Sequence, residues 1–371
     1  MIGIDLARGL AVFGMFAVHV GPAPDDVGGV SGWLLSLTEG RSAGLFALLA
    51  GLSLALITGG RHTTTGRAGR QVKIKIAIRG FILLVLGTAL TMIGTSITVI
   101  LAFYGVCFVL ALPFLRWRPA SLAITAAVVA VAGPVLIAVV RPALTAASWG
   151  TAIHSFDPLT GASGIGVVEL LVTGLFPALS WMAYVFAGLA VGRLAIGERA
   201  VQVKLAILGP VLAAVGYGGS WLSLQLTGVA PAGYVPDDGE GHPIPGVAEG
   251  LRGLLDAAPH TNTPFEIIGN IGLAIAVVGA LLLVVDAAPR LRKPLWPLIA
   301  VGTMPLTVYV VQVGGLWLVE SAGLDESGGW GVLLSFVVTA MLLATAWLWF
   351  FRRGPLEALV NAATSLSRLG R

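Results

Sequence analysis

Apolar residues gather in runs of about 20, the length that crosses a hydrocarbon core about 30 Å thick. Charges and Gly/Pro breaks separate the runs. About ten result: 4–22, 41–59, 76–94, 97–115, 120–140, 172–194, 204–226, 266–287, 295–319 and 331–351. The stretch 164–175 is apolar but short and reads as a re-entrant or interfacial piece. Two connections, about 141–165 and about 227–265, are longer than turns require, and loops of that length are usually functional or disordered. Neither a repeat of 20–50 residues nor an inverted symmetry of the transporter kind is visible. The pattern predicts an all-α polytopic membrane protein of about ten transmembrane helices, with 1–371 as a single domain.

Composition agrees with the pattern. The 371 residues are 57% hydrophobic and 11% charged, against roughly 25% charged in a soluble domain; the mean hydropathy is +0.93. A water-soluble globule has no core large enough for such an excess, and disorder needs the opposite balance. The single cysteine, Cys107, lies in an apolar run, which excludes an internal disulfide, a Cys-based zinc site and an iron–sulfur cluster. No His/Cys/Glu spacing suggests a metal. The first apolar stretch has no small-residue cleavage site after it, so no cleavable signal peptide is expected. The abrupt start suggests a short preceding tail.

The formal charge of +4 marks membrane sides rather than a nucleic-acid partner. With the N-terminus inside, 19 of the 22 basic residues fall on cytoplasmic segments; Arg41, Arg141 and Arg252 do not. Asp25, Asp26, Glu39, Asp157, Asp237, Asp238, Glu240, Glu249, Asp256, Glu320, Asp325 and Glu326 fall outside. The Lys/Arg bias sets orientation, so a cell-membrane protein with both termini cytoplasmic is expected.

Ionisable groups within spans are costly and are candidates for function. The first span carries Asp5, Arg8 and His19. Arg8 and His19, 11 residues apart, lie only about 20° from sharing one helix face and about 16 Å apart along the axis. Asp5 stands three residues before Arg8, where the two can pair. These residues admit two readings: an ion pair at the inner interface with an interfacial histidine, or a polar track along one helix face. Arg41, beside Glu39, opens the second span against the charge bias, as an outer anchor or as part of a site. Arg61, Arg67, Arg70, Lys73, Lys75 and Arg79 crowd the inner loop 59–75 and the start of the third span. That cluster suits anionic lipid or a phosphate-rich cytosolic ligand. His260 precedes the eighth span amid Thr261, Asn262 and Thr263. Tyr309 and Gln312, three residues apart on the ninth, can hydrogen-bond across helices. Neither a nucleophile elbow nor a phosphate-binding Gly-rich loop is present.

The pattern Asp5-Leu-Ala-Arg8-Gly9 followed by His19 resembles the opening helix of transmembrane acyltransferases. It is similar to the acyltransferase-three family, whose mark is Arg-(ten residues)-His, and to relatives of heparan-alpha-glucosaminide N-acetyltransferase. Closer still, the chain resembles uncharacterised actinobacterial membrane proteins placed with the latter. Glu39-Gly-Arg41 with Leu45–Gly51, Pro259-His260 with Thr263-Pro264 and Ile268-Gly-Asn270, Gly302–Gln312, and Arg353-Gly-Pro-Leu-Glu357 carry the likeness nearly to the C-terminus. In the sugar N-acetyltransferase branch an Asn stands at the position of His19, with a histidine further on that has no counterpart in Gly21–Trp33.

The resemblance implies transfer of an acetyl or other acyl group from cytosolic acetyl-CoA, or another acyl-CoA, to an extracytoplasmic sugar, lipid or amine. His19 is then the general base or an acyl carrier, Arg8 with Asp5 orients the donor, and Glu39 and Arg41 shape the outer side. His260 is the second acid/base candidate, and the basic cluster from Arg61 to Arg79 holds the donor phosphates. The competing class is a transporter or flippase in which the same track binds a small metabolite or lipid. The lipid bilayer is the expected surrounding, and a homo-oligomer stays open.

Overall fold

A computed structural model of the chain describes residues 1–146, 155–231, 247–323 and 329–365. Trp149, His154, Tyr234, Asp237, Asp238, Glu240, His242, Asp325, Glu326, Arg368 and Arg371 lie outside the described residues. The rest is helical, with no strand among the described residues. The main helices are α1 (Ile2–Val20), α2 (Arg41–Ile57), α3 (Gly66–Thr91), α4 (Leu101–Ala111), α5 (Pro119–Ala146), α6 (Ala178–Gly192), α7 (Arg199–Ala213), α8 (Pro264–Ala287), α9 (Trp296–Thr303), α10 (Pro305–Ser321), α11 (Trp330–Phe350) and α12 (Pro355–Ser365).

Each of the ten expected runs meets helix, but not always as one straight rod. Among the described residues, seven helical stretches are long and apolar enough to cross a membrane, and α9 with α10 makes an eighth if counted as one span. Two more, α4 and α6, are apolar but shorter. Proline explains the difference. It removes an N–H and excludes the preceding residue from helical geometry. Pro113 follows the end of α4, Pro177 precedes α6, and Pro305 opens α10. There the expected straight span 295–319 bends by 90°. At Pro210 the helix instead carries on, and the π-helical turn Ala214–Gly218 follows it, a local register change that absorbs freed carbonyls.

Burial separates interior helices from lipid-facing ones. In α6 every residue except Leu179 is buried. It packs between α2 and α5, while α1 contacts α2, α8, α9, α10 and α11. Small residues allow the close approach: a Cβ on Gly188 would run into the Leu48 carbonyl, and one on Gly51 into that of Val185. Such small-residue contacts are how helices associate without water to drive them together. By contrast α3, α5, α7 and α11 turn apolar side chains outward, among them Phe81, Ile124, Ile207 and Leu342. In water this would be an aggregation surface; here it is the face a bilayer covers.

The inner loop expected over 59–75 is shorter than its charges suggest, because α3 starts at Gly66. Arg67, Arg70, Lys73, Lys75 and Arg79 thus stand along the first turns of a helix rather than in a loop. The short stretch after 163 holds a π-helical turn, Glu169–Thr173. Asp157 caps the preceding turn through Leu159 N and also accepts from Val167 N. Of the second long loop, Val247–Gly253 is helical and 254–263 leads into α8.

Candidate functional site

α1 runs unbroken through all three of its ionisable residues. Near its start Arg8 Nη1 donates to Asp5 Oδ1 at 2.7 Å, and Nη2 donates to Ser53 Oγ on α2 at 2.8 Å. Near its end His19 Nδ1 lies 2.9 Å from Gln312 Nε2 on α10. Gln312 is buried, and its Oε1 has no partner among the described residues. His19 Nε2 makes no hydrogen bond among the described residues.

A cavity of about 370 Å³ opens at His19. His260, Tyr309, Thr38, Ser42, Thr98 and Phe176 help line it. His19 and His260 are also electrostatic neighbours. Tyr309 is held by Ile100 N, which donates to its Oη at 3.3 Å. Phe176, just after the short stretch expected to be re-entrant, meets the His260 ring edge-on, with centroids 5.7 Å apart. The two histidine candidates, 241 residues apart in sequence, therefore share one chamber.

His260 is positioned by a residue that the sequence reading passed over. The Glu266 carboxyl group, buried at the start of α8, accepts His260 N at 2.8 Å and Asn262 N at 2.6 Å. Thr261 Oγ1 donates to the same group at 3.3 Å. His260 and Asn262 both have left-handed backbones, with φ of 63° and 54°, a cost that persists only where surroundings enforce it. Trp181 Nε1 donates to Asn262 Oδ1 at 2.6 Å, and Asn262 Nδ2 donates to Leu175 O at 3.0 Å. The signal for Glu266 is present in the sequence: Thr263-Pro-Phe-Glu266 has the spacing of a capping box. Thr263 Oγ1 does accept from Glu266 N, at 3.1 Å, while the glutamate reaches back to the loop. Burial also pushes the His260 imidazole down from 6.5 to about 4, so it is neutral across the physiological range.

Arg41 stands outside the cavity lining. Its Nε donates to Tyr217 Oη at 3.0 Å, and the guanidinium sits 5.0 Å from that ring's centroid. Tyr217 donates to Asn270 Oδ1 at 2.5 Å, and Asn270 Nδ2 donates to Glu266 Oε1 at 3.3 Å. A hydrogen-bonded line thus runs from Arg41 to the carboxyl group that holds His260. Arg41 touches Glu39 only through the latter's backbone carbonyl, at 3.4 Å. Arg41 instead bonds Tyr217 and, through Nη1, Ser36 O at 2.8 Å; for Tyr217 the sequence carries no signal.

The basic cluster from Arg61 to Arg79 is spread rather than gathered. Arg61 is exposed and pairs with Glu198 at 3.6 Å. Arg67 and Arg70 are exposed, and Lys73 and Lys75 are partly buried. Arg79 has Arg8 and Glu357 as electrostatic neighbours. Arg193, read as one more inner charge, is a buried cap. It donates to Ala55 O, Gly60 O, Thr58 Oγ1 and Leu115 O.

Two family models match the chain. One, described as heparan-alpha-glucosaminide N-acetyltransferase, catalytic, matches residues 1–221. The other, described as a protein of unknown function (DUF418), matches residues 253–367. A search of curated proteins returns no match. The first model contains Arg8 and His19 and the second His260, Glu266 and Gln312, so the cavity is built across both. With the first model matching residues 1–221 of 371, the chain belongs to the heparan-alpha-glucosaminide N-acetyltransferase catalytic family, multi-pass membrane proteins of acetyltransferase type whose chemistry draws in general on acetyl-CoA.

Proposed function

We propose that the chain transfers an acyl group, acetyl in the first instance, from a cytosolic acyl-CoA to an extracytoplasmic hydroxyl or amine acceptor. The membrane is the cell membrane and both termini are cytoplasmic. The observation that carries this reading is the single cavity that joins His19 and His260 at one end of α1, with Arg8 on the same helix.

The donor supplies a thioester carbonyl. Arg8, with Asp5 and Ser53 setting its guanidinium, and Arg79 beside it are the groups that would hold donor phosphate or pantetheine oxygens by charge-assisted bonds. The polar rim from Arg61 to Lys75 attracts the same anion from a distance. At the other end His19 takes the acceptor proton as general base. For that its Nε2 must hold a lone pair, so Nδ1 carries the hydrogen. The Gln312 amide accommodates this by turning Oε1 toward Nδ1–H, an exchange of amide atoms that leaves the heavy-atom positions in place. His260, neutral in its buried seat, is the second proton carrier, and the proton returns from there to the departing thiolate. Thr38, Ser42 and Thr98 offer hydroxyls to a polar acceptor.

The test is acetyl-CoA binding and acceptor-dependent CoA release by detergent-purified protein. Arg8→Ala is expected to lose saturable donor binding, and His19→Ala to keep binding and lose transfer. Full transfer activity in both variants overturns the assignment. A transporter would be indifferent to acetyl-CoA, so donor dependence also separates the two classes.

A further inference from the structure

The start of α10 has an unusual holder. Its first free backbone donors, Leu306 N and Thr307 N, give hydrogen bonds of 2.8 and 3.1 Å to Glu357 Oε1 on α12. Thr307 Oγ1 donates to Glu357 Oε2 at 2.5 Å and accepts from Leu356 N at 3.1 Å. Two helix N-termini therefore cap each other, each with a side chain taken from the other. A carboxylate is favoured at such a terminus by the helix dipole, but a cap normally comes from the residue just before the helix. That residue here is Met304, which has no side-chain acceptor. The fit is close: a Cβ on Gly354 would meet Glu357 Oε2 and stand 2.6 Å from Met304 Cβ.

The position of this clamp matters because the chain bends 90° between α9 and α10. A break of that kind leaves the direction of α10 to whatever grips its first turn. Tyr309 and Gln312 follow on the same helix, with Gln312 about 10 Å along the axis from Pro305. Gln312 is the group that meets His19 Nδ1. We propose that Glu357 is a positioning residue for His19: it fixes the axis of α10 so that the Gln312 amide sets the imidazole toward the cavity. This rests on the acyltransferase reading for its consequence in rate, but not for its geometry.

The experiment combines Glu357→Ala, Glu357→Gln, Gln312→Ala and the double variant Glu357→Ala/Gln312→Ala, in full-length protein in detergent. Two readouts are taken. In acyl transfer, Glu357→Ala is expected to lower kcat by about tenfold or more, since small misplacements of a reacting group are costly. Gln312→Ala should do the same. The double variant should be no worse than Gln312→Ala, because groups acting through one contact are not additive. Glu357→Gln, which keeps one acceptor oxygen for the backbone donors, should fall between. A loss in the double variant equal to the product of the single losses overturns the proposal.

The second readout needs no catalysis: modification of His19 by diethyl pyrocarbonate, followed by mass spectrometry of its peptide. Losing the Gln312 bond opens Nδ1, so His19 should label severalfold faster in Glu357→Ala and in Gln312→Ala alike. An unchanged labelling rate in folded Glu357→Ala or Glu357→Gln overturns the positioning role, whatever the enzymology. Absence of transfer by the wild-type chain with every acceptor would overturn the acyltransferase reading and leave the labelling result standing.

Discussion

Removing the Glu266 carboxyl group should release the His260 loop, and the size of the effect follows from its contacts. The group accepts two backbone N–H bonds, from His260 and Asn262, and two side-chain bonds, from Thr261 Oγ1 and Asn270 Nδ2. Glu266→Ala leaves two buried backbone donors without an acceptor, at about 1–3 kcal/mol each. The left-handed backbones of His260 and Asn262 relax on opening in wild type and variant alike, so their strain cancels from the comparison. Opening therefore becomes easier by about 3 kcal/mol, a factor of about 100 in the opening equilibrium. Glu266→Gln keeps one oxygen but sets an NH2 against the other donor, so about half of that effect is expected. Hydrogen–deuterium exchange in detergent reads it directly at the amides of His260 and Asn262, with α8 amides as an internal control. If both amides in folded Glu266→Ala exchange at the wild-type rate, Glu266 is not what holds the loop.

Two further outcomes follow from buried groups. The folded His260 resists protonation until about pH 4, whereas an unfolded chain takes up that proton near 6.5. The unfolded state thus binds more protons in between, so stability is full above about pH 6.5 and declines toward pH 4. His260→Gln should flatten that part of a plot of Tm against pH; an identical slope would mean that another group causes it. Arg193 spans four acceptors at the ends of α2 and α4, and a lysine ammonium cannot reach them from one point. Arg193→Lys should cost about 2–3 kcal/mol, visible as a clear fall in Tm, and an unchanged Tm would refute the capping role.

How much of this was legible depends on which physical signal each residue leaves. Burial in a bilayer writes itself as length and hydropathy, so every expected run met a helix. The bend at Pro305 was also in principle readable, since proline excludes helical geometry before it. Pro210 shows why that inference is not automatic: there a π turn follows and the helix goes on. His19 announced itself as an ionisable group in an apolar helix, and its cavity is where the structure put it. Glu266 carried a capping-box spacing that a reading focused on chemistry did not use. Tyr217 carried nothing, because a tyrosine turned toward Arg41 looks the same in sequence as one turned toward lipid. Charge number was the weakest guide: of six clustered cations, five proved to be a helix-borne row, and Arg61 pairs with Glu198 instead.

The division of the chain between two family models bears on how the site works. His19 lies within residues 1–221 and His260, Glu266, Gln312 and Glu357 within 253–367, and each histidine takes a contact from the other region. His19 takes its ring contact from Gln312 on α10. His260 sits on a loop fastened partly by Trp181 and Leu175 through Asn262. Each region thus contributes contacts to the other's candidate histidine, while Glu266 holds His260 from within its own region. A contact of this kind cannot be kept by stabilising one half alone, because the cost of misalignment falls on a pair. These contacts cross the boundary between the two matched regions in both directions, and α1 packs against helices of both.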